Sequence, residues 1–346
     1  MSLGRSEILL AVASFSRKQR VVFWLCSLIF VGALLLTIGE LNRHFTVKVS
    51  ARGGHIVEGI VGTPRFINPL LATSDADRDL SALIYSGLMR VGEAGQPIGD
   101  LAANYQVSSD GLNYTFTLKN GLTWHDGTPI TSADIVFTIQ KAQDPLVKSP
   151  RRAGWIGITV KAIDDQTVSF ELGQAYPGFL ENATLGILPK HLWQKFDAEA
   201  FSLNQFNSES VGSGPYQIRT IKKDNFGIPQ YYELEPFSNF ALGQPKISRL
   251  TTSFYSDQDK LLAAYRRGDI DSLSTVPAYL AAELESNGKQ LTKMPLPRVF
   301  GVFFNQNHAP VLANIEVRKA LDLAVNKQEI IDTVLHGYGK VAAGPI

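Results

Sequence analysis

One short stretch of the sequence places two side chains of catalytic type next to each other. Residues 122–139 read LTWHDGTPITSADIVFTI, in which His125 and Asp126 are adjacent. Imidazole and carboxylate groups serve as general acids and bases, and both are common metal ligands. The pair therefore raises two possibilities, a hydrolytic or metal-binding site and a purely structural turn.

The neighbouring residues favour the structural interpretation. Asp126-Gly127 is typical of a turn, because glycine adopts positive φ without steric cost. Thr131 is placed to begin a helix, with Asp134 able to reach back to its amide, and Asp144-Pro145 is placed to end that helix. No HxxxH pattern or carboxylate pair accompanies His125. His125 is then the one polar residue of the segment without a predicted structural role.

Other sequence signatures of catalysis are absent. The chain contains no GxSxG, GxxxxGK[ST], HExxH or CxxC pattern, and its six histidines share no spacing. The glycine-containing loop 211-VGSGPYQI-218 lacks the lysine of a phosphate-binding loop and precedes a predicted strand, which favours a turn. The sequence therefore predicts no catalytic residue, no metal ligand and no cofactor.

The composition describes a folded protein with a large core. The chain has 346 residues, of which 45% are hydrophobic and 10% aromatic. Its 33 Lys and Arg residues nearly balance 32 Asp and Glu residues, so the net charge of +1 gives no bulk attraction to nucleic acid. A single cysteine, Cys26, excludes an internal disulfide.

An apolar run near the N-terminus predicts a membrane anchor. Residues 21–39 carry no charge and approach the roughly 20 residues that span a bilayer. The tail 1–20 before them is basic, which places it in the cytoplasm by the positive-inside rule. We therefore expect a single-pass protein of the cell membrane, with the chain facing outward from residue 40. A cleaved signal peptide or a lipidated start at Cys26 is the alternative.

The remainder of the chain mixes strand and helix patterns without a repeat, which indicates an α/β or α+β fold. Residues 40–54 are predicted to be a linker. Strands are predicted at 55–62, 113–121, 167–172, 231–237, in a short segment from Ile270, and at 298–307. Helices are predicted at 75–90, capped by Asp75 or Asp77, at 258–268, capped by Ser256, and after Asn314 and Asn326.

Five blocks in a fixed order resemble the family-5 extracellular solute-binding proteins, the peptide-binding components of ABC importers. The blocks are 68–90, 110–139, 210–218, 267–273 and 317–339. The resemblance implies a periplasmic-binding-protein-like (Venus flytrap) α/β fold. It assigns 55–90 and 206–298 to lobe I, 91–205 to an inserted α+β domain, and 299–346 to a crossover and an incomplete lobe II. We expect that lobe II is incomplete because the sequence is a fragment of a longer protein. A naturally truncated lobe is the alternative.

The resemblance also implies where a ligand binds. The positions that match the ligand-lining segments of the family are Thr73, Ser74 and Asp75, then Ser274 and Thr275, then Phe300, Gly301 and Val302. Family members hold peptides largely through backbone hydrogen bonds. The implied function is binding of an oligopeptide or dipeptide outside the cytoplasm and its delivery to an ABC permease, by a monomer that catalyses nothing. A membrane-anchored sensor, or binding of a nickel complex or an oligosaccharide, is the alternative.

Overall fold

The structure, a computed structural model, describes residues 16–45, 51–93, 95–293 and 299–342. The chain divides into two compact units, Met1–Ala51 and Arg52–Ile346. Residues 1–15 of the N-terminal tail and residues 46–50 within the predicted linker 40–54 lie outside the described residues.

The described part of the first unit is one helix, α1 (Arg17–Phe45). The backbone N–H of Ser16 donates to the side chain of Gln19 over 2.9 Å, which satisfies a donor at the helix start. By length and composition, Arg17–Leu41 could cross a membrane, with a mean hydropathy of 2.7. The helix reaches Phe45, so the prediction that the linker begins at residue 40 is wrong, because nothing from Glu40 to Phe45 breaks a helix.

The second unit mixes strands and helices. Its strands are β1 (His55–Val61), β2 (Met89–Val91), β3 (Pro97–Gly99), β4 (Ala102–Val107), β5 (Asn113–Leu118), β6 (Ile158–Asp164), β7 (Thr167–Leu172), β8 (Tyr216–Lys223), β9 (Pro229–Pro236), β10 (Arg249–Tyr255) and β11 (Ser272–Leu273). Its α-helices are α2 (Asp75–Ile84), α3 (Ser132–Gln143), α4 (Phe179–Asn182), α5 (Lys190–Trp193), α6 (Gln258–Arg267), α7 (Ala278–Ser286), α8 (Ile315–Leu323) and α9 (Lys327–Val334). Short 3-10 helices cover Arg152–Trp155, Ala198–Leu203, Gln205–Asn207 and Pro310–Ala313.

One sheet has five strands in the order β11-β1-β10-β9-β8. β1 is parallel to both β10 and β11, whereas β8 and β9 form an antiparallel hairpin beside β10. Helix α6 packs on the face that carries Gly59, where a Cβ would collide with Leu261 and Ile270. Helix α2 contacts the same strand β1.

The second sheet has four antiparallel strands in the order β4-β5-β7-β6. The strand predicted at 113–121 is confirmed as β5, in which Tyr114, Phe116 and Leu118 are buried and the residues between them are not. Strand β7 shows the same period-two burial. Phe116 meets Phe170 edge to face at 5.6 Å, and Phe170 lies 5.3 Å from Phe179. Such aromatic pairs add roughly 0.5–1.5 kcal/mol each beyond the area that they bury.

Helix α2 is shorter than predicted and begins with a different cap. It ends at Ile84, and the chain then runs through buried positions into β2. Ser74, not Asp75 or Asp77, is the N-cap, and its Oγ accepts from the backbone N–H of Asp77 over 3.1 Å. The carboxylate of Asp77 completes a capping box by accepting from the backbone N–H of Ser74 over 3.1 Å, and its other oxygen accepts from the backbone N–H groups of Arg65 and Phe66. That carboxylate fixes the proline-containing segment before the helix.

Two further boundaries differ by one or two residues. Asp257, and not Ser256, caps α6, because its side chain accepts from the backbone N–H of Lys260 over 2.9 Å. The helix ends at Gly268 as predicted, with a φ of 80°. The strand predicted from Ile270 is β11, which begins at Ser272, the first residue that pairs with β1, while Ile270 packs against α6.

The strand predicted at 298–307 is wrong for the described part of that segment. Residues 299–305 adopt no strand, and Phe300 and Phe303 are 84% and 87% exposed. A strand requires backbone hydrogen bonds to a neighbour, and no described strand pairs with this one. The two helices after it are confirmed, with Asn314 and Asn326 accepting from Glu316 and Glu329 at their starts.

Candidate functional site

The segment around His125 and Asp126 folds as a tight turn. The backbone N–H of Trp124 donates to the carbonyl of Thr128 over 2.8 Å, and Gly127 has a φ of 85°. The carboxylate of Asp126 accepts from the backbone N–H of Thr128 over 3.0 Å. The structural interpretation of this segment is confirmed.

His125 has a structural role that its sequence context does not reveal. Its Nδ1 accepts from the backbone N–H of Gly212 over 3.2 Å, and its Nε2–H donates to the carbonyl of Gly214 over 3.1 Å. Its ring also meets Phe237 edge to face at 4.8 Å. Burial lowers the pKa of His125 to about 4, against smaller opposing effects of the Gly214 hydrogen bond and the charge of Asp126. The neutral ring therefore joins the turn to the glycine loop.

Asp126 pairs with a different histidine. Its Oδ2 lies 2.7 Å from Nε2 of His191, and both side chains are about one third exposed. Burial alone would raise the pKa of Asp126, but hydrogen bonds from Thr128 and His191 lower it overall. The described residues contain no group of three or more His, Cys, Asp or Glu side chains arranged to hold a metal ion. His125 and Asp126 thus form their hydrogen bonds with different partners and not with each other.

The glycine loop is explained by the close approach of its backbone to the end of α2. A Cβ at Gly212 would overlap the carbonyl oxygen of Ile84, and a Cβ at Gly214 would lie 2.6 Å from the carbonyl oxygen of Leu83. The backbone N–H of Gly214 donates to the carbonyl of Ile84 over 2.8 Å. The loop is a packing element that leads into β8.

A cavity of about 390 Å³ opens beside helix α2. This volume lies within the usual range for sites that hold small ligands. Three separate parts of the chain form its walls: residues 69–85, the turn 150–155, and residues 181–186. The lining residues with polar or aromatic side chains are Arg78, Ser81, Tyr85, Arg151, Trp155, Glu181, Asn182 and Thr184.

Hydrogen bonds hold these walls together. The Oγ of Ser149 donates to the carbonyl of Leu70 over 2.6 Å and accepts from the backbone N–H of Arg151 over 3.1 Å. The side-chain amide of Asn182 donates to the carbonyl of Gly154 over 2.9 Å. A Cβ at Gly186 would lie 2.9 Å from the Cβ of Tyr85, so only glycine fits there. The cavity is therefore built into the tertiary structure.

Three of the eight predicted ligand positions lie next to this cavity. Thr73, Ser74 and Asp75 are exposed at the start of α2 and follow Ala72, which lines the cavity. The guanidinium of Arg78, another lining residue, bonds the carbonyl of Thr73 and the carboxylate of Asp75. Arg78 thus connects Thr73 and Asp75 to the cavity wall, although Thr73, Ser74 and Asp75 do not line the cavity themselves.

The other predicted positions lie elsewhere. The backbone N–H of Ser274 donates to the carbonyl of Gly59 over 3.1 Å, so Ser274 and Thr275 follow the edge strand β11. Phe300, Gly301 and Val302 are exposed, and none of these five residues lines the cavity. Their assignment as ligand-binding residues remains a prediction.

Sequence reasoning missed the charged residues of the cavity. Arg151 and Glu181 are 30 positions apart in the chain, and each looks like an ordinary surface charge in its own segment. The only local signal is 151-RRAGW-155, in which two arginines precede a tryptophan that is 3% exposed.

Comparison with known proteins decides the family. The model for bacterial extracellular solute-binding proteins, family 5, matches residues 96–346, which is more than half of the chain. The chain belongs to this family. The oligopeptide-binding protein AppA of Bacillus subtilis is 29% identical over 341 residues, which cover 95% of this chain and 61% of AppA.

Solved structures of the family agree with the fold. AppA in complex with a nonapeptide has a TM-score of 0.66 at 26% identity, covering 85% of this chain and 58% of AppA. The substrate-binding protein CtaP of Listeria monocytogenes has a TM-score of 0.66 at 30% identity, and the match covers 81% of this chain and 56% of CtaP. NikZ of Campylobacter jejuni, solved with Ni(L-His), has a TM-score of 0.67 at 28% identity, and the match covers 84% of this chain and 57% of NikZ.

These family-5 relatives confirm the α/β periplasmic-binding-protein fold. The chain spans less than two thirds of the length of each of them. The division into lobe I, inserted domain and crossover at the predicted boundaries remains a proposal. The five-stranded and the four-stranded sheets draw their strands from segments consistent with it, since β4 to β7 lie within 91–205.

Proposed function

We propose that this protein binds an oligopeptide or dipeptide outside the cytoplasm and delivers it to the permease of an ABC importer. Membership of family 5 is the observation that carries the proposal. One relative whose match covers 95% of this chain is an oligopeptide-binding protein, and its structure is known with a nonapeptide bound.

The site geometry supports binding without catalysis. His125 is used by the fold, and Asp126 is paired with His191 at the surface. The cavity beside α2 opens to solvent and is lined by charged side chains together with the buried Trp155 and Tyr85. We place the first part of the solute site there, together with Thr73, Ser74 and Asp75. Helix α1 would tether the protein to the membrane, with the binding unit outside.

Isothermal titration calorimetry on the full-length gene product tests this function. We expect a mixture of tri- to pentapeptides to bind with a Kd in the roughly micromolar range, as for a small ligand held by several hydrogen bonds. Uptake of the same peptides by cells should fall when the gene is deleted. Peptides that neither bind nor depend on the gene for uptake would refute the proposal.

A nickel complex is a second candidate, favoured by the similarity to NikZ with Ni(L-His). The same calorimetry with nickel–histidine in place of peptide separates the two candidates. Binding of the nickel complex together with failure of every peptide would replace the first candidate by the second.

A further inference from the structure

The loop that joins β9 to β10, residues 237–248, carries positive charge and no negative charge. Its sequence, FSNFALGQPKIS, contains Lys246 but no aspartate or glutamate. We call this segment the basic loop. Its tip is a turn in which the backbone N–H of Gly243 donates to the carbonyl of Phe240 over 2.9 Å. Leu242 at that tip is 44% exposed, and Lys246 is exposed as well.

Two cations from distant parts of the chain are held against the basic loop by their charged ends. Nη1 of Arg52 donates to the side-chain oxygen of Gln244 over 3.2 Å. Nζ of Lys119 donates to the carbonyl of Ala241 over 3.3 Å. Both hydrogen bonds end on uncharged oxygens, so they fix the position of each cation without neutralising its charge.

A third cation, Arg90, lies over an aromatic ring of the basic loop, with its guanidinium carbon 5.7 Å from the ring centre of Phe240. Within the described part of the chain, no carboxylate forms an ion pair with any of these three cations or with the lysine of the loop. Asp100 acts electrostatically on Arg90 and Lys119, but it is only 3% exposed. Four cations and one buried carboxylate leave this face with an excess of positive charge.

The positively charged face lies where the chain enters the second unit. Arg52 is the first residue of that unit, and the backbone N–H of Gly53 donates to the carbonyl of Lys246 over 2.8 Å. Only residues 46–51 separate Arg52 from the end of α1 at Phe45. Because an extended chain spans at most about 3.6 Å per residue, Arg52 stays within about 25 Å of a bilayer that α1 crosses.

The chemistry of this face matches an anionic bilayer surface. Phosphodiester headgroups attract lysine and arginine side chains near a membrane, and the attraction fades within a Debye length. An exposed leucine among such cations supplies the apolar part of an interfacial contact. The bilayer is also the anionic surface that the tether keeps within reach.

We infer that the basic loop and the three cations held against it dock the second unit onto the anionic headgroups of the membrane that α1 crosses. Docking leaves the opposite end of the five-stranded sheet free, because β1 and β11 run away from the basic loop and Ser274 follows β11 at that far end. The inference rests on the tether of the proposed function and not on the identity of the solute.

Lysine acetylation of the full-length protein in lipid nanodiscs tests the docking. Discs of phosphatidylcholine are compared with discs that also contain phosphatidylglycerol, and mass spectrometry gives the labelling rate of each lysine. In the anionic discs we expect Lys246 to react at least about threefold more slowly than in the neutral discs, because headgroups cover it. Lys222, which is exposed at the far end of β8, should react equally in both.

Salt and one charge reversal provide independent measurements. Sodium chloride at about 0.5 M should abolish the protection of Lys246, because it shortens the Debye length to roughly 4 Å. Arg52→Glu should weaken the protection, and the matched change Lys222→Glu, which alters the net charge equally, should keep it. Because Arg52 is exposed, its variant should fold, which circular dichroism checks.

The outcomes separate the membrane from other occupants of this face. Rapid labelling of Lys246 in both kinds of disc would overturn the inference. Protection that is equal in both lipids and increases with the number of protein copies per disc would assign the face to a second copy of this chain instead. A protein that α1 does not retain in the discs would overturn the tether and the docking together, whereas calorimetry with peptides would still decide solute binding.

Discussion

At the scale of single residues, His125 makes the stability of the protein depend on pH. Its Nδ1 accepts the hydrogen bond from the backbone N–H of Gly212. Protonation would place a hydrogen on Nδ1, so two donors would then face each other and the hydrogen bond would be lost. The pKa of His125 is lowered from 6.5 to about 4 by burial, so the unfolded chain binds the extra proton between these values. Stability is therefore full above the unfolded pKa and is lost as pH falls from 6.5 towards 4.

His125→Ala tests this role. We expect a loss of about 1–3 kcal/mol at about pH 7.5, because two backbone groups lose their partner. At about pH 5 the loss of unfolding free energy caused by the substitution should be about 2 kcal/mol smaller, because His125 contributes that much less to the stability of the unmodified protein at this pH. Urea unfolding of both proteins at each pH measures the difference. An equal loss at the two pH values would contradict the assignment.

Asp100 gives a pH dependence of opposite sign. It is 3% exposed and its Oδ1 has no hydrogen-bond partner among the described residues. Burial raises its pKa from 3.8 to about 6, although Arg90, Ser86 and Lys119 oppose the shift. The folded state therefore favours the protonated form, and stability from this group is lost as pH rises through about 6.

Asp100→Asn should stabilise the protein, because it removes the cost of burying a charge. We expect a gain of about 1–3 kcal/mol at about pH 7.5, and a gain about 2 kcal/mol smaller at about pH 4.5. Thermal unfolding followed by circular dichroism at both pH values measures it. A gain that is larger at the lower pH would show that Asp100 is ionised at little cost in the native protein.

At the scale of elements, the glycine loop 211–218 crosses the end of α2 so closely that a Cβ built at Gly212 would overlap the carbonyl oxygen of Ile84. Gly212→Ala places a Cβ against the carbonyl oxygen of Ile84, where no side chain is available to move aside. We expect a loss of about 3 kcal/mol or more, measured by urea unfolding. Gly227→Ala is the control, because its φ is 79° and nothing lies within 4 Å of a Cβ there.

The control variant separates two reasons why a position requires glycine, a lack of space for a Cβ and a backbone in the left-handed region. Gly227→Ala should cost only about 1 kcal/mol, the strain of an alanine in the left-handed region. If Gly212→Ala costs no more than Gly227→Ala, the loop and α2 are less closely packed than the structure shows.

Local patterns predicted the elements but not the contacts between them. Period-two burial in β5 and the helix start at Thr131 depend on neighbours in sequence, and both were predicted correctly. The roles of His125 and Asp77 depend on partners far along the chain or on backbone amides, which residue types do not reveal. The segment 298–307 has strand-forming residues, yet strand formation requires a partner that no described strand supplies.

The cavity was not predictable for the same reason. Its walls come from 69–85, 150–155 and 181–186, which are brought together by tertiary contacts such as Asn182 to Gly154. The family resemblance directed attention to Thr73, Ser74 and Asp75, which lie beside the cavity. It did not direct attention to Arg151 or Glu181.

At the scale of the whole molecule, helix α1 decides where the protein works. Its apolar residues point in all directions, with Leu28 and Leu35 75% and 65% exposed. A helix that is apolar on every side is typical of a membrane span, and the basic residues before it favour a cytoplasmic N-terminus. A signal sequence has a similar composition, so the two alternatives differ in whether α1 stays on the mature protein.

Alkaline carbonate extraction of membranes, with mass spectrometry of the N-terminus, separates these alternatives. We expect the protein to stay in the membrane pellet with α1 intact, and protease added to whole cells with the wall removed should digest only the outward unit. Leu28→Arg with Leu35→Arg should release it from the pellet or block its insertion, because each charge at the helix centre costs about 2.5–3.5 kcal/mol. The matched change Leu203→Arg, at a residue 87% exposed in the second unit, should have no such effect. A mature N-terminus beyond residue 39 would establish a cleaved signal sequence, and the anchor would then be abandoned while solute binding stands.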